Sequence, residues 1–218
     1  MQKRKEKIKD KSHLLEVGSF LIIVGISVLC FKLIGHYLNI ENEKNLIKEY
    51  YEEEIMVDVP IVEEEIVQEE KEQQIEEKTK QNKVKVNYIA VLKIPKLGLE
   101  KGLANKDSYY NNVSRNIQIL DESDMPDIEK GNVILAGHSG NSSVSYFKNL
   151  NKLEIDDKVS ISYNGKEYVY KMVNSYEIEK TGYAHIIRNA EKNTLTLITC
   201  KHKTNKQLVI ICELMEER

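Results

Sequence analysis

Thr194-Leu195-Thr196-Leu197-Ile198-Thr199-Cys200 alternates small polar with branched apolar residues and ends on a cysteine. Such period-two alternation, rich in Thr, Leu and Ile, predicts a β-strand. A cysteine at the exit of a strand sits at the rim of a sheet, where a substrate can reach it. The run Lys201-His202-Lys203-Thr204-Asn205-Lys206 follows at once, and positive charge beside a thiol favours the thiolate.

Working outward, charge divides the chain into segments. Residues 1–16 carry six Lys/Arg against three acids, residues 41–86 fifteen acids against seven Lys, and residues 87–218 eighteen basic against seventeen acidic side chains. The near neutrality of the last segment excludes nucleic acid as a main partner, because phosphate binding needs concentrated positive charge. Three cysteines, Cys30, Cys200 and Cys212, do not make a disulfide framework. Cys212 falls in a second strand-like run, Gln207–Glu213, as a small buried hydrophobe.

Val17 to Leu38 is apolar apart from Lys32 near one end. Its 22 residues suffice for one membrane-spanning helix, and the lysine can snorkel to the interface. The flank before it is basic and the flank after it acidic, which puts the N-terminus in the cytoplasm and the remainder outside. Residues 39–85 then read as an extended, self-repelling acidic stalk, ahead of a folded domain over 86–218.

Within that domain, strands are expected at 89–94, ending at Pro95, and at 116–120, 132–136, 158–163, 167–173, 194–200 and 207–213. Asn164-Gly165 marks a hairpin. Phe147, Leu150 and Leu153 recur at helical spacing and predict a short helix over 143–153. Residues 176–193 form a longer connection. Many short strands with one helix make a mainly β domain, a closed barrel or a sandwich.

Chemistry concentrates at two strand exits. His138 follows Ala136-Gly137 and precedes Ser139-Gly140; Cys200 ends its own strand. A cysteine nucleophile needs an imidazole to hold its thiolate and to pass a proton to a leaving amine. The flanking glycines would leave a substrate room at the ring. His202 and His185 are rival partners. Cys200 and His202 also form a C-x-H pair, but no second pair with ligand spacing exists. The acids at 121–129 do not match the twelve-residue calcium-loop pattern, so no metal is expected.

These motifs together resemble the sortase family. Thr196-Leu197-Ile198-Thr199-Cys200 is similar to its TLxTC signature. Ala136-Gly137-His138-Ser139 resembles the strand end that carries its histidine, and Tyr88–Pro95 its first barrel strand. Phe147-x-x-Leu150-x-x-Leu153 with Asp157 resembles a further segment, with Asp156 where the family has Gly. The resemblance covers about residues 86–218. It implies a closed eight-stranded barrel behind a transmembrane helix and stalk, and a cysteine transpeptidase on the outer face of a Gram-positive cell membrane. Cys200 would attack an LPXTG-like sorting signal of a secreted protein and form a thioester. A cell-wall precursor or a lysine amine would resolve it. His138 would move the protons, and Ile198 and Thr199 would line the peptide groove. The resemblance implies no organic cofactor.

The family's arginine early in the last strand has no counterpart. Lys206 and Gln207 stand nearest, and only one can share the face of Cys200. Lys206 is the expected replacement, since a developing negative charge is best met by a fixed positive one; Gln207 or an incoming Arg188 are the alternatives. Hydrolysis by water, or binding of sorting signals without cleavage, are the competing functions. No hydrophobic segment follows Glu213 and no Asp-Pro-aromatic lid sequence stands in 41–86. Within the resemblance, both point to wall attachment rather than pilus polymerisation.

Overall fold

The structure, a computed structural model, describes residues 2–57, 86–201 and 203–218. Helix α1 runs Gln2–Val57. Over residues 18–40 its large apolar side chains, among them Phe20, Leu29 and Phe31, are exposed. A helix is thus present that is long and apolar enough to cross a membrane.

The expectation of an extended stalk is corrected over 39–57, which is helical. No Gly follows Gly35 and no Pro precedes Pro60 in this part of the sequence. Lys48 and Glu52 pair at 3.4 Å one turn apart, as helix-supporting side chains do. The rest of the expected stalk, 58–85, lies outside the described residues.

The compact unit that holds the strands runs Leu46–Arg218 and so begins inside α1. Strand β1, Tyr88–Ile94, points Ala90, Leu92 and Ile94 into the main core. Val91 faces the other way, yet it too is fully buried, because Ile47 and Tyr50 pack on it with Tyr88. The Tyr50 hydroxyl donates to the Ser162 carbonyl at 3.2 Å, and Lys93 lies 5.0 Å from the centre of the Tyr51 ring.

Among the described residues, eight strands form one sheet, in the order β2-β1-β5-β6-β8-β7-β4-β3. Beyond β1 they are β2 Leu99–Ala104, β3 Gln118–Ile119, β4 Asn132–Gly137, β5 Lys158–Tyr163, β6 Lys166–Glu179, β7 Thr194–Cys200 and β8 Lys206–Glu217. The sheet curls into a nearly closed barrel. Near its seam Asn116 donates from its amide to the Gly102 carbonyl at 2.9 Å. The expected turn joins β5 to β6, with Asn164 at φ +50° and Gly165 at φ +73°, the left-handed pair a two-residue hairpin requires.

Three local expectations change. Strand β2 went unpredicted because Leu99-Glu100-Lys101-Gly102 does not alternate. Lys101 is buried beside the Tyr88 and Tyr146 rings, 5.7 and 4.7 Å from their centres. In place of a helix over 143–153 the chain makes successive turns and one 3-10 turn, Leu150–Lys152. The reason is hydrogen bonding: Lys148, Leu150 and Leu153 each donate three residues back, and the Phe147 amide goes to the His138 carbonyl at 3.0 Å. A three-residue period still puts Phe147, Leu150 and Leu153 on one buried face. Strand β6 runs on to Glu179, its register with β8 shifting at Val169/Tyr170 and Met172/Asn174, which shortens the connection to 180–193.

Two measurements check this packing. Tyr50→Ala should lower unfolding free energy by about 3 kcal/mol, the cost of emptying a buried aromatic site, read by denaturant titration of the detergent-solubilised chain. A change within about 0.5 kcal/mol would mean an unburied position. At Gly137 a Cβ would meet the Phe147 ring at 2.8 Å. Gly137→Ala should therefore cost about 1–3 kcal/mol, part of it recovered when Phe147→Leu is added.

Candidate active site

Strands β4 and β7 are parallel, an exception in a sheet otherwise paired antiparallel. Their register runs from Asn132 opposite Thr194 to Gly137 opposite Thr199. The next residues are His138 and Cys200. Residues at one level of neighbouring parallel strands stand ~4.8 Å apart in their backbones and face the same side. The expected nucleophile and base are thus brought to adjacent strand ends.

Local hydrogen bonds tie these ends together. The Thr199 hydroxyl donates to the Gly137 carbonyl at 2.7 Å, and the Ser139 hydroxyl donates to the Cys200 carbonyl. Gly137 makes room for Phe147 under the strand end, a packing role and not the substrate clearance expected of it. Both Cys200 and His138 are half-buried. Cys212 has no exposure, and burial pushes its thiol up to about 12, so it stays protonated and inert. Cys30 lies on α1.

Strand β8 supplies the third neighbour. Cys200 pairs with Gln207, and Gln207 in turn with Ile178 of β6. Ile178, Gln207, Cys200 and His138 therefore make one row across four strands. This corrects the register expected for Lys206. The Lys201 amide donates to the Lys206 carbonyl at 2.9 Å, which moves Lys206 one place past Cys200. Its ammonium lies 3.6 Å from Glu177, which also accepts from Lys201. The Lys201 bond, ahead of the weaker pull of Lys206, holds the Glu177 carboxyl below its ordinary range.

Ile198 and Thr199 separate in the same way, since successive strand residues face opposite sides. Thr199 borders a cleft of about 530 Å³ with Cys200, Phe147, Leu208 and Glu177. Ile198 borders a groove of about 710 Å³ with Ala136, Gln207, Lys180, Tyr183 and Ile186. Thr199 thus borders the cleft and Ile198 the groove. Cys200 borders the cleft, and by alternation along β7 it shares the face of Ile198, which borders the groove. Ala136 was findable, because it precedes His138 by two on one strand and must share its face. Lys180, Tyr183 and Ile186 come from a connection without periodicity, and no pattern marks them.

The other candidates fall elsewhere. Arg188 donates to the carbonyls of Lys130, Asn189 and Lys192 at 3.2–3.4 Å. The backbone carbonyl of His185 accepts from the Tyr176 hydroxyl at 3.0 Å, and its side chain is exposed. His202 lies outside the described residues. In the acidic loop, Asp124 is engaged by the Asn132 amide at 2.8 Å. Among the described residues no group of three His, Cys, Asp or Glu side chains is placed to hold a metal ion.

Residues 92–215 match the family model for the sortase domain. Sortase A from Corynebacterium diphtheriae, in a lid mutant, superposes with a TM-score of 0.54 at 18% identity, over 62% of this chain and 74% of that one. A Clostridium perfringens sortase D5 transpeptidase gives 0.51 at 24% identity, over 62% and 83%. Sortase C1 from Streptococcus agalactiae gives 0.52 at 22% identity, over 59% and 68%. No curated protein matches the sequence. The domain match takes in both strand exits, β4 with its histidine and β7 with its cysteine, and the chain belongs to the sortase family.

Proposed function

We propose that this chain is a membrane-anchored cysteine transpeptidase that cleaves an LPXTG-like sorting signal and passes the protein to an amine of the cell wall. The observation that supports the reading is the parallel register of β4 and β7, which brings His138 beside Cys200 at adjacent strand ends, two residues beyond Ala136 and Ile198 of the groove. The groove accepts the signal as an extended peptide over Ile198, Ala136 and Gln207.

The sulfur of Cys200 attacks the scissile carbonyl carbon, and the carbonyl π pair moves to oxygen. The oxyanion collapses to a thioester as the C–N bond breaks, and His138 gives the leaving nitrogen its proton. An incoming amine attacks the thioester, His138 takes its proton, and the C–S bond breaks to release the Cys200 thiolate. Gln207 has the face and level to donate its amide N–H to the oxyanion. That role was expected of Lys206; its place beside Glu177 supports Gln207 instead. The thioester stores the acyl energy between the two half-reactions. Residues 1–16 face the cytoplasm and the barrel faces the wall, with secreted proteins as donors and a cell-wall precursor or lysine amine as acceptor. Protein attachment, and not pilus polymerisation, is the form of transfer.

Intact-mass spectrometry of the full chain with an LPXTG-like peptide tests this. A covalent adduct of the acyl mass should map to Cys200 and vanish in Cys200→Ala. In His138→Ala its formation should slow roughly 100- to 10,000-fold. Added amine should convert the adduct to an amide. Release to water alone, whatever the amine, would make the chain an endopeptidase. Peptide binding with no adduct would make it a binding module.

A further inference from the structure

The oxyanion at Cys200 carries a full negative charge, and a neutral amide such as Gln207 offsets only part of it. A fixed cation aimed at the same place stabilises such a charge far more. The described lysines near the Cys200 end of β7 can be placed. Lys201 and Lys206 both turn to Glu177, which borders the 530 Å³ cleft. Lys148 borders that same cleft. Lys203 is in the turn at φ +59° and exposed. Lys180 alone among the described lysines borders the groove that Ile198 and Gln207 line.

We propose that Lys180 meets the oxyanion formed at Cys200 and so supplies the charge that Gln207 lacks. This rests on the transpeptidase reading above. Lys180 is two residues past Ile178, the row-mate of Gln207 and Cys200, and so keeps their face. Its amide extends the β6–β8 ladder by donating to the Asn205 carbonyl at 2.9 Å, which fixes its level. Two strand spacings across and two residues along place its backbone ~12 Å from that of Cys200. The four-carbon lysine stem and the acyl group projecting from the Cys200 sulfur share that distance. The side chain is exposed, and among the described residues no acid forms an ion pair with it. Glu122 is the acid that borders the same groove. The division of labour is then a directed hydrogen bond from Gln207 and a positive charge from Lys180.

The test is the rate of thioester formation on the full chain with the LPXTG-like peptide, at varied peptide concentration. Lys180→Ala and Lys180→Gln should each slow acylation roughly 10- to 100-fold, in the maximal rate more than in half-saturation, with thermal midpoints unchanged. Lys180→Arg should keep most of the rate. Adding Gln207→Arg to Lys180→Ala should restore it, by placing charge and fork on one side chain. If Lys180→Ala acylates within twofold of the parent, or Lys180→Arg is as slow as Lys180→Ala, Lys180 has no such role, although the transpeptidase reading stands. If the parent forms no thioester, both readings fall together.

Discussion

The parallel ladder between β4 and β7 is the constraint on which the rest depends. Antiparallel neighbours are joined by tight turns, but a parallel pair needs a crossover. Here the chain leaves β4 at Gly137, builds β5 and β6, and returns along β7. That detour brings residues more than sixty positions apart to one level. Register then does the chemical selection: a one-residue slip would put the imidazole and the thiol on opposite faces. Bonds between the strand ends hold the register, Thr199 to the Gly137 carbonyl and Ser139 to the Cys200 carbonyl. Phe147 fills the space left by the missing side chain of Gly137 and hangs its amide on the His138 carbonyl.

The two faces of β7 border different spaces. Thr199 and its neighbours face a cleft where Glu177 engages both Lys201 and Lys206. Ile198 and Gln207 face a groove with largely apolar walls, one lysine and one glutamate. An apolar channel suits an extended peptide, which supplies its own backbone hydrogen bonds and needs only shape and a few donors from its host. Membership of the sortase family and the barrel itself are independent of these assignments; the proposed chemistry is not.

Much of this was legible in the sequence, for identifiable reasons. Strands β1, β4, β5 and β7 end where Pro95, His138, Asn164 and Cys200 interrupt apolar or alternating runs, and Asn164-Gly165 named its own turn. His138 and Cys200 stood out because each follows a strand end. Other features depend on tertiary partners. Lys101 reads as a surface residue until Tyr88 and Tyr146 cover it. Phe147, Leu150 and Leu153 fit a period of three as well as one of 3.6, and only the hydrogen bonds decide. The choice between Lys206 and Gln207 turned on a single residue in the β7–β8 turn, where Lys203 adopts φ +59° against its own preference. The helical end of α1 was hidden because charge alone suggested repulsion, while Ile47 and Tyr50 were bound for Val91.

The adjacency of the two strand exits is open to direct chemical measurement. Backbones ~4.8 Å apart fall within the roughly 4.4–6.8 Å window in which a disulfide closes. The full chain carrying His138→Cys should therefore, under mild oxidation, form a disulfide between the introduced thiol and Cys200, found by peptide mass mapping and reversed by reductant. An introduced thiol that stays free while the chain remains folded, or that pairs only between molecules, would contradict the register on which the account stands.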